Sequence, residues 1–490
     1  MITFILSILA LIAGYIFYGK FVTRVFGEDD SRVTPAVDHP DGVDYVVLPQ
    51  WKAFIIQFLN IAGLGPIFGA VLGAAYGPVS YLWIVFGCIF MGAMHDYFSG
   101  MLSLRGNGAS IPELVRIYLS KRSAYVLRFF TGLLLICVGV SFVRGPAELL
   151  AHLTGIELYI WVIGIFVYYL LATLLPINTI IGRIYPFFGA ALLAMAVMVG
   201  GVMLWKGFSG DLNLVELSTS SFTNMHANPE SNIVFPMLFI VISCGALSGF
   251  HSTQAPLIAR TMSRESQGRL TFYGAMIAEG VVALIWATAA MNYFGGVEQL
   301  NAQAAAGVTP SKLVDFVCNS WLGQFGAILA IIGVVACPIT SGDTAFRSSR
   351  LLIADVFNID QKKIMKRILI CVPIFALAVL MTEINFGVIW NYVGISNQML
   401  ATVMLWTISA YLRFKKKNRF IASIPATIMT YICVAYLMIA PNVGGGLALD
   451  PTLAYSIAGV VTLVVIARFE AKAKEKLPQE GNYFLKQKEK

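Results

Sequence analysis

Charge is scarce in this chain. Asp, Glu, Lys and Arg make up 12% of its 490 residues, about half the share found in a soluble domain, which excludes an ordinary soluble globular fold. Signatures of familiar chemistry are absent too. There is no C-x-x-C, H-E-x-x-H or G-x-S-x-G, and no G-x-x-x-x-G-K-[ST], so the common zinc sites, the usual membrane hydrolases and ATP-driven transport lose support. Five histidines (39, 95, 152, 226 and 251) are scattered between loops and apolar segments. Seven cysteines (88, 137, 244, 318, 337, 371 and 433) fall almost entirely inside apolar segments, where free thiols are expected rather than a disulfide framework. No basic residue precedes the first apolar run, and Lys20 and Arg24 follow it, so that run is not expected to be a cleaved leader. The expectation is a chain without enzymatic activity, cofactor or bound metal.

Apolar length is what the sequence has in quantity. Hydrophobic residues reach 58%, in recurring runs of about 18 to 25 residues, each long enough to cross a hydrocarbon core of about 30 Å. Thirteen spans are predicted, near 2–19, 53–75, 80–102, 126–143, 158–175, 186–205, 233–255, 270–294, 320–341, 367–382, 388–412, 420–440 and 452–467. The chain reads as an all-α polytopic membrane protein. Its net charge of +8 does not point to nucleic acid, because of where the charge lies. Threading thirteen spans puts 31 of the 34 Lys and Arg on one side, with Arg144, Lys206 and Lys312 the exceptions. The positive-inside bias then places the N-terminus outside and the C-terminus in the cytoplasm. "RFKKKNRF" (413–420) and the basic tail (471–490) are topology signals with lipid phosphates as contacts.

Two of the runs are interrupted. "NIAGLGPIFG" (60–69) places Gly63, Gly65, Pro66 and Gly69 inside an apolar span, and "SCGALSGFHSTQAP" (243–256) does the same with Gly245, Gly249 and Pro256. Such residues leave helical backbone groups unpaired, which is tolerated at membrane depth where the backbone lines a cavity. Each interrupted span opens a set of five, 53–205 and 233–412, and an odd-numbered set in tandem must reverse its orientation. Broken spans at matching positions of two halves point to an inverted-repeat transporter. The domain reading is therefore an N-terminal span and loop (1–52), two opposed five-helix repeats (53–205 and 233–412), and two further helices with a basic tail (413–490). Substrate contacts are expected from Asn60, Gly63, Gly65 and Gly69 in the first break, and from Ser243, Gly245, Ser248, Gly249, His251, Ser252 and Gln254 in the second. The competing reading of each break alone is a helix-packing face or a kink.

Ionisable groups inside spans are functional candidates by default. His95 and Asp96 lie two-thirds of the way through the third span; as neighbours they point about 100° apart on a helix and need not pair. The alternative for Asp96 is an ion pair with Arg105 or another base at the cytoplasmic edge of the span, which would simply anchor the helix. Glu279 lies about ten residues into the eighth span with no basic neighbour on its own helix, and an unpaired buried carboxyl tends to hold its proton. His251 reads either as a proton site or as a satisfied hydrogen-bonding group. "CPITSGDTAFR" (337–347) brings the oxygens of Thr340, Ser341, Asp343 and Thr344 within two turns, which suits a hard cation; the alternative is a helix C-terminus with Asp343 paired to Arg347.

Six stretches, "TPAVDHPDGVDYV" (34–46), "IAGLGPIFGA" (61–70), "GAMHDYFSGMLSLRGNGAS" (92–110), "CGALSGFHSTQAP" (244–256), "SGDTAFRSSRLL" (341–352) and "FGVIWNYVGISNQMLA" (386–401), together resemble the carbon starvation protein A (CstA) family. The resemblance implies a transporter of the bacterial inner membrane, linked to uptake of short peptides and in some members to proton-coupled pyruvate uptake. It also implies kinship with the amino acid–polyamine–organocation superfamily, a leucine-transporter-type five-plus-five core, and a sodium site between the helix at 337–347 and the first broken helix. Ile56 and Gln57 stand where many family members carry two histidines. The expected function is secondary active import of a peptide or a carboxylate such as pyruvate, driven by H+ or Na+. Its competitors are a channel for small organic anions and a membrane metabolite sensor. The polar, acidic loop 27–50 fits either a gate or a brace.

Overall fold

The computed structural model describes residues 1–472 apart from 41, 43, 44, 175, 176, 358 and 360–363. Most of the predicted basic tail, from 473 onward, lies outside the described residues. Among the described residues every regular element is helical. Eight helices are long and apolar enough to cross a bilayer, among them Ile2–Phe26, Val79–Arg105, Lys121–Thr154, Glu265–Tyr293 and Phe420–Ile439. Counting Gln50–Ala62 and Gly65–Ala74, bent by 52°, as one span makes nine. The remaining predicted runs also carry helix but fall short of that test for visible reasons. Leu158–Leu174 is short, 233–255 is split into Val234–Val241 and Gly249–Ala259, and Phe386–Phe414 is loaded with buried polar residues such as Asn397, Gln398 and Thr402. The molecule is a multi-pass membrane protein.

One boundary is corrected. The ninth span does not end near 341 with Asp343 in a helix C-terminus. A helix runs through Cys337–Phe357, and Thr340, Ser341, Asp343 and Thr344 are buried within it. Hydropathy failed there because these polar side chains face protein rather than lipid, so the helix needs no apolar surface on that face.

The two breaks differ in form. In the first, Gly63 (φ +33°) and Leu64 separate Gln50–Ala62 from a wide π-type turn, Gly65–Gly69, that leads into Ala70–Ala74. In the second, residues 242–248 are non-helical between Val234–Val241 and Gly249–Ala259, with Gly245 at φ +88°. Trp83 on the Val79–Arg105 helix donates to the freed carbonyl of Ile242 at 2.8 Å.

The loop after the first helix crosses the end of the bundle that carries most of the arginines. Asp29 N–H donates to Glu265 (2.8 Å), Thr34 to the Met262 carbonyl (2.7 Å), and Leu48 N–H to the Thr261 carbonyl (2.9 Å). Arg105 joins both sides, donating to Glu265 Oε2 (2.7 Å) and to the Gly27 carbonyl (2.6 Å), with its guanidinium 4.0 Å from the Phe26 ring centre. The segment is a strap tying the loops near 105 and 262 together. An apolar cavity of about 710 Å³ lies between Tyr18, Trp83, Phe86, Phe90, Leu238 and Phe239.

Candidate functional site

The two breaks meet. A Cβ placed on Gly65 would fall on Cys244, one on Gly69 would lie 3.1 Å from the Val241 carbonyl, and one on Gly245 would lie 3.9 Å from Pro66. Their crossing is the centre of the molecule, and three further helices close over it: Val79–Arg105 packs on Gly249–Ala259, Glu265–Tyr293 packs on the first broken helix, and Phe386–Phe414 packs on Gly249–Ala259.

A chain of ionisable side chains runs through this centre. Asp96 accepts from both histidines, His95 Nδ1 to Oδ1 at 2.8 Å and His251 Nδ1 to Oδ2 at 2.8 Å. On its other side His251 presents Nε2 to Glu279 Oε2 at 3.3 Å. All four side chains are at most 1% exposed. Two pairings that the sequence left open are seen here. His95 and Asp96 do pair, although they are sequence neighbours, because both rings converge on one carboxylate. Asp96 takes His251 rather than Arg105, which is committed to Glu265. Glu279 has no basic neighbour on its own helix but receives one from the second break. The contact lacks hydrogen-bond geometry, and both Glu279 oxygens, His251 Nε2 and, separately, His95 Nε2 are buried without a hydrogen bond.

Asn397 organises the second break, a role the sequence did not reveal. It donates to Ser248 Oγ (2.9 Å) and Ser243 Oγ (3.5 Å), and its oxygen accepts the backbone N–H of Phe250 (2.5 Å). The available signal was an amide inside a long apolar run, which at membrane depth calls for partners. Ser252 donates to the Gly249 carbonyl (2.6 Å) and Gln254 to Thr253 (2.9 Å), while Gln254 Oε1, Asn60 Oδ1 and both side-chain polar atoms of Gln57 are buried without a hydrogen bond.

The second proposed coupling group sits apart from the chain of titratable residues. Ser341 donates to the Leu59 carbonyl (3.1 Å), just before the first break. Thr340 and Thr344 bond back to the carbonyls of Cys337 (2.6 Å) and Ser341 (2.9 Å), and Tyr185 donates to both the Thr340 carbonyl and Asp343 Oδ2, at 3.1 Å each. The hydroxyls still have free lone pairs, and Asp343 Oδ1 is buried without a hydrogen bond. Every side chain of both groups is at most 1% exposed.

Known proteins agree with this architecture. A membrane protein of Haemophilus influenzae with no assigned function is 42% identical over 65% of the chain and 98% of its own length. A Bacillus subtilis protein named peptide transporter CstA is 25% identical over 95% of the chain and 94% of its length. The pyruvate/proton symporter BtsT of Escherichia coli is 26% identical over 58% of the chain and 48% of its length. Among solved structures, Mhp1, a nucleobase-cation-symport-1 family transporter, covers 90% of the chain and is itself covered to 96%, with a TM-score of 0.54 at 14% identity. MhsT in complex with L-phenylalanine gives 0.53 at 14% identity, over 84% of the chain and 98% of its own. These likenesses assign the leucine-transporter type of fold. The model of carbon starvation protein CstA matches residues 1–152 and 134–323, and the chain belongs to that family.

Proposed function

We infer that this protein is a secondary active transporter that imports a small organic solute, a short peptide or a carboxylate such as pyruvate, across the bacterial inner membrane. The observation that carries the reading is the crossing of two broken helices beside a polar centre whose titratable side chains, His95, Asp96, His251 and Glu279, are buried. Broken backbone of this kind is expected where a substrate is held and released. Names borne by relatives supply the substrate class, and the carboxylate common to both substrates suits amide N–H groups freed at a break. The proposal includes thirteen spans, a five-plus-five inverted repeat between 53–205 and 233–412, an external N-terminus, and contacts to substrate from Asn60, Gly63, Gly65, Gly69, Ser243, Gly245, Ser248, Gly249, His251, Ser252 and Gln254. It also includes coupling to H+ along His95, Asp96, His251 and Glu279, or to Na+ among Thr340, Ser341, Asp343 and Thr344.

Uptake of labelled pyruvate and of di- and tripeptides into proteoliposomes, under imposed H+ and Na+ gradients in turn, tests the reading. Accumulation above the outside concentration with one gradient supports it. Flux that rises linearly with concentration and never runs uphill indicates a channel. Binding without flux indicates a sensor.

A further inference from the structure

We propose that Cys244, His251 and Glu279 form a binding site for one divalent transition-metal ion of the Zn2+ class, at the crossing of the two breaks. The ligand atoms of these three residues all lie within 4.8 Å of one another. With Asp96 accepting from His251 Nδ1, the neutral imidazole keeps its lone pair on Nε2. That nitrogen faces Glu279 Oε2 at 3.3 Å without hydrogen-bond geometry. In that state the two atoms call for a cation between them, a proton or a metal ion, and the sulfur of Cys244 within 4.8 Å of both makes a metal ion the one that all three residues can share. Two ligands held at about 2.0–2.1 Å by a tetrahedral ion stand roughly 3.3 Å apart, so the observed spacing is that of two ligands on one ion.

The surroundings fit a metal in three further ways. A carboxylate behind a ligating histidine fixes its tautomer and ring orientation, the usual outer shell of zinc-type sites, and Asp96 is so placed. Asn397 Nδ2 donates to Cys244 Sγ at 3.8 Å, a bond that a thiolate would keep. On ligation Cys244 gives up its thiol proton to solvent, and the thiolate with the Glu279 carboxylate balances the two charges of the ion, so the ion and its charged ligands together are neutral. One sulfur, one nitrogen and a carboxylate select against Mg2+ and Ca2+, which take oxygen shells of six or more. The sequence concealed this set because its members come from a break and from the following helix, at none of the spacings that mark zinc motifs.

The site rests on the transporter reading in one respect: His251 and Glu279 are buried and Cys244 only partly so, and all three are reached together only when the breaks open. A bound ion would pin Cys244 and His251 to the Glu279 helix and halt the cycle. The test uses the full chain in nanodiscs. After incubation with Zn2+ and desalting, the wild type and Cys318→Ser, whose thiol is buried elsewhere, should each retain a single ion. With Co2+ they should show a sulfur-to-cobalt charge-transfer band. Cys244→Ser should abolish the band and weaken binding at least tenfold, and Asp96→Asn should weaken it about 10- to 100-fold. An unchanged band and affinity in Cys244→Ser, or no retained ion in the wild type, overturns the proposal. Should His251→Gln or Glu279→Gln fail to fold, the near-isosteric Cys244→Ser still decides. Gradient-driven uptake in metal-free buffer is measured separately, so loss of the metal site and loss of the transport reading are distinguishable.

Discussion

Substituting Gly65 tests whether the two breaks touch as described. A Cβ at this position would land on the Cβ and Sγ of Cys244, whereas the Cys244 Cα stands 3.7 Å away, an ordinary contact. Gly65→Ala therefore overpacks a site with no room to give. Overpacking of this kind costs about 1–3 kcal/mol; a value near 2 is roughly a 30-fold change in the folded-to-unfolded ratio. Because the clash lies with the side chain of Cys244, Cys244→Gly should relieve it, while Cys244→Ala, which keeps the Cβ, should not. In a Cys244→Gly background Gly65→Ala should cost less than about 0.5 kcal/mol, a coupling of about 1.5 kcal/mol and within the range for contacting residues. Unfolding of the purified protein in mixed micelles with a rising fraction of SDS, followed by tryptophan fluorescence, gives the four values of the cycle. Equal costs of Gly65→Ala in the wild-type and Cys244→Gly backgrounds would refute the crossing geometry.

Leu at Gly65 or Gly249 should eliminate binding of labelled substrate while the protein stays monodisperse, since a Cβ at Gly249 meets the backbone of Asn397 and Ala401; Leu at Gly164 or Gly201, which have open space, should leave binding intact. Gly14 and Gly100 are not neutral controls, because a side chain there strikes Ile89 or Phe272. Asn397→Ala leaves the Phe250 N–H without its acceptor and should lower stability by about 1–3 kcal/mol, read as a shift in the same SDS titration; no shift would mean that the second break holds its shape unaided. Glu279→Gln keeps the side-chain shape but removes its charge, and should abolish uphill uptake while substrate exchange across the membrane persists; normal accumulation with Gln at 279 would remove this residue from coupling. Cysteine-accessibility mapping should place the two termini on opposite faces, and finding both on one face would overturn the thirteen-span count and the repeat.

By itself the sequence determined that this chain is a multi-pass membrane protein, because hydrocarbon thickness imposes a length that apolar runs must match. It also determined the two breaks: glycine and proline act on their own backbone, so a local signal suffices. The family, too, was readable from short ordered motifs such as "CGALSGFHSTQAP". The tertiary structure decided which side chains share the centre. Asp96 and His251 lie 155 residues apart and meet only because the third span packs on the second break. Glu279, an unpaired carboxyl on its own helix, gains its neighbour in the same way. Hydropathy ended the ninth span too early, since it cannot tell a polar face turned toward protein from one that leaves the membrane. Arg105 likewise found Glu265 instead of Asp96 once the strap over that end was in place. Local chemistry writes apolar length and breaks into the chain; the pairing of polar groups depends on which helices touch, and only packing in three dimensions settles that.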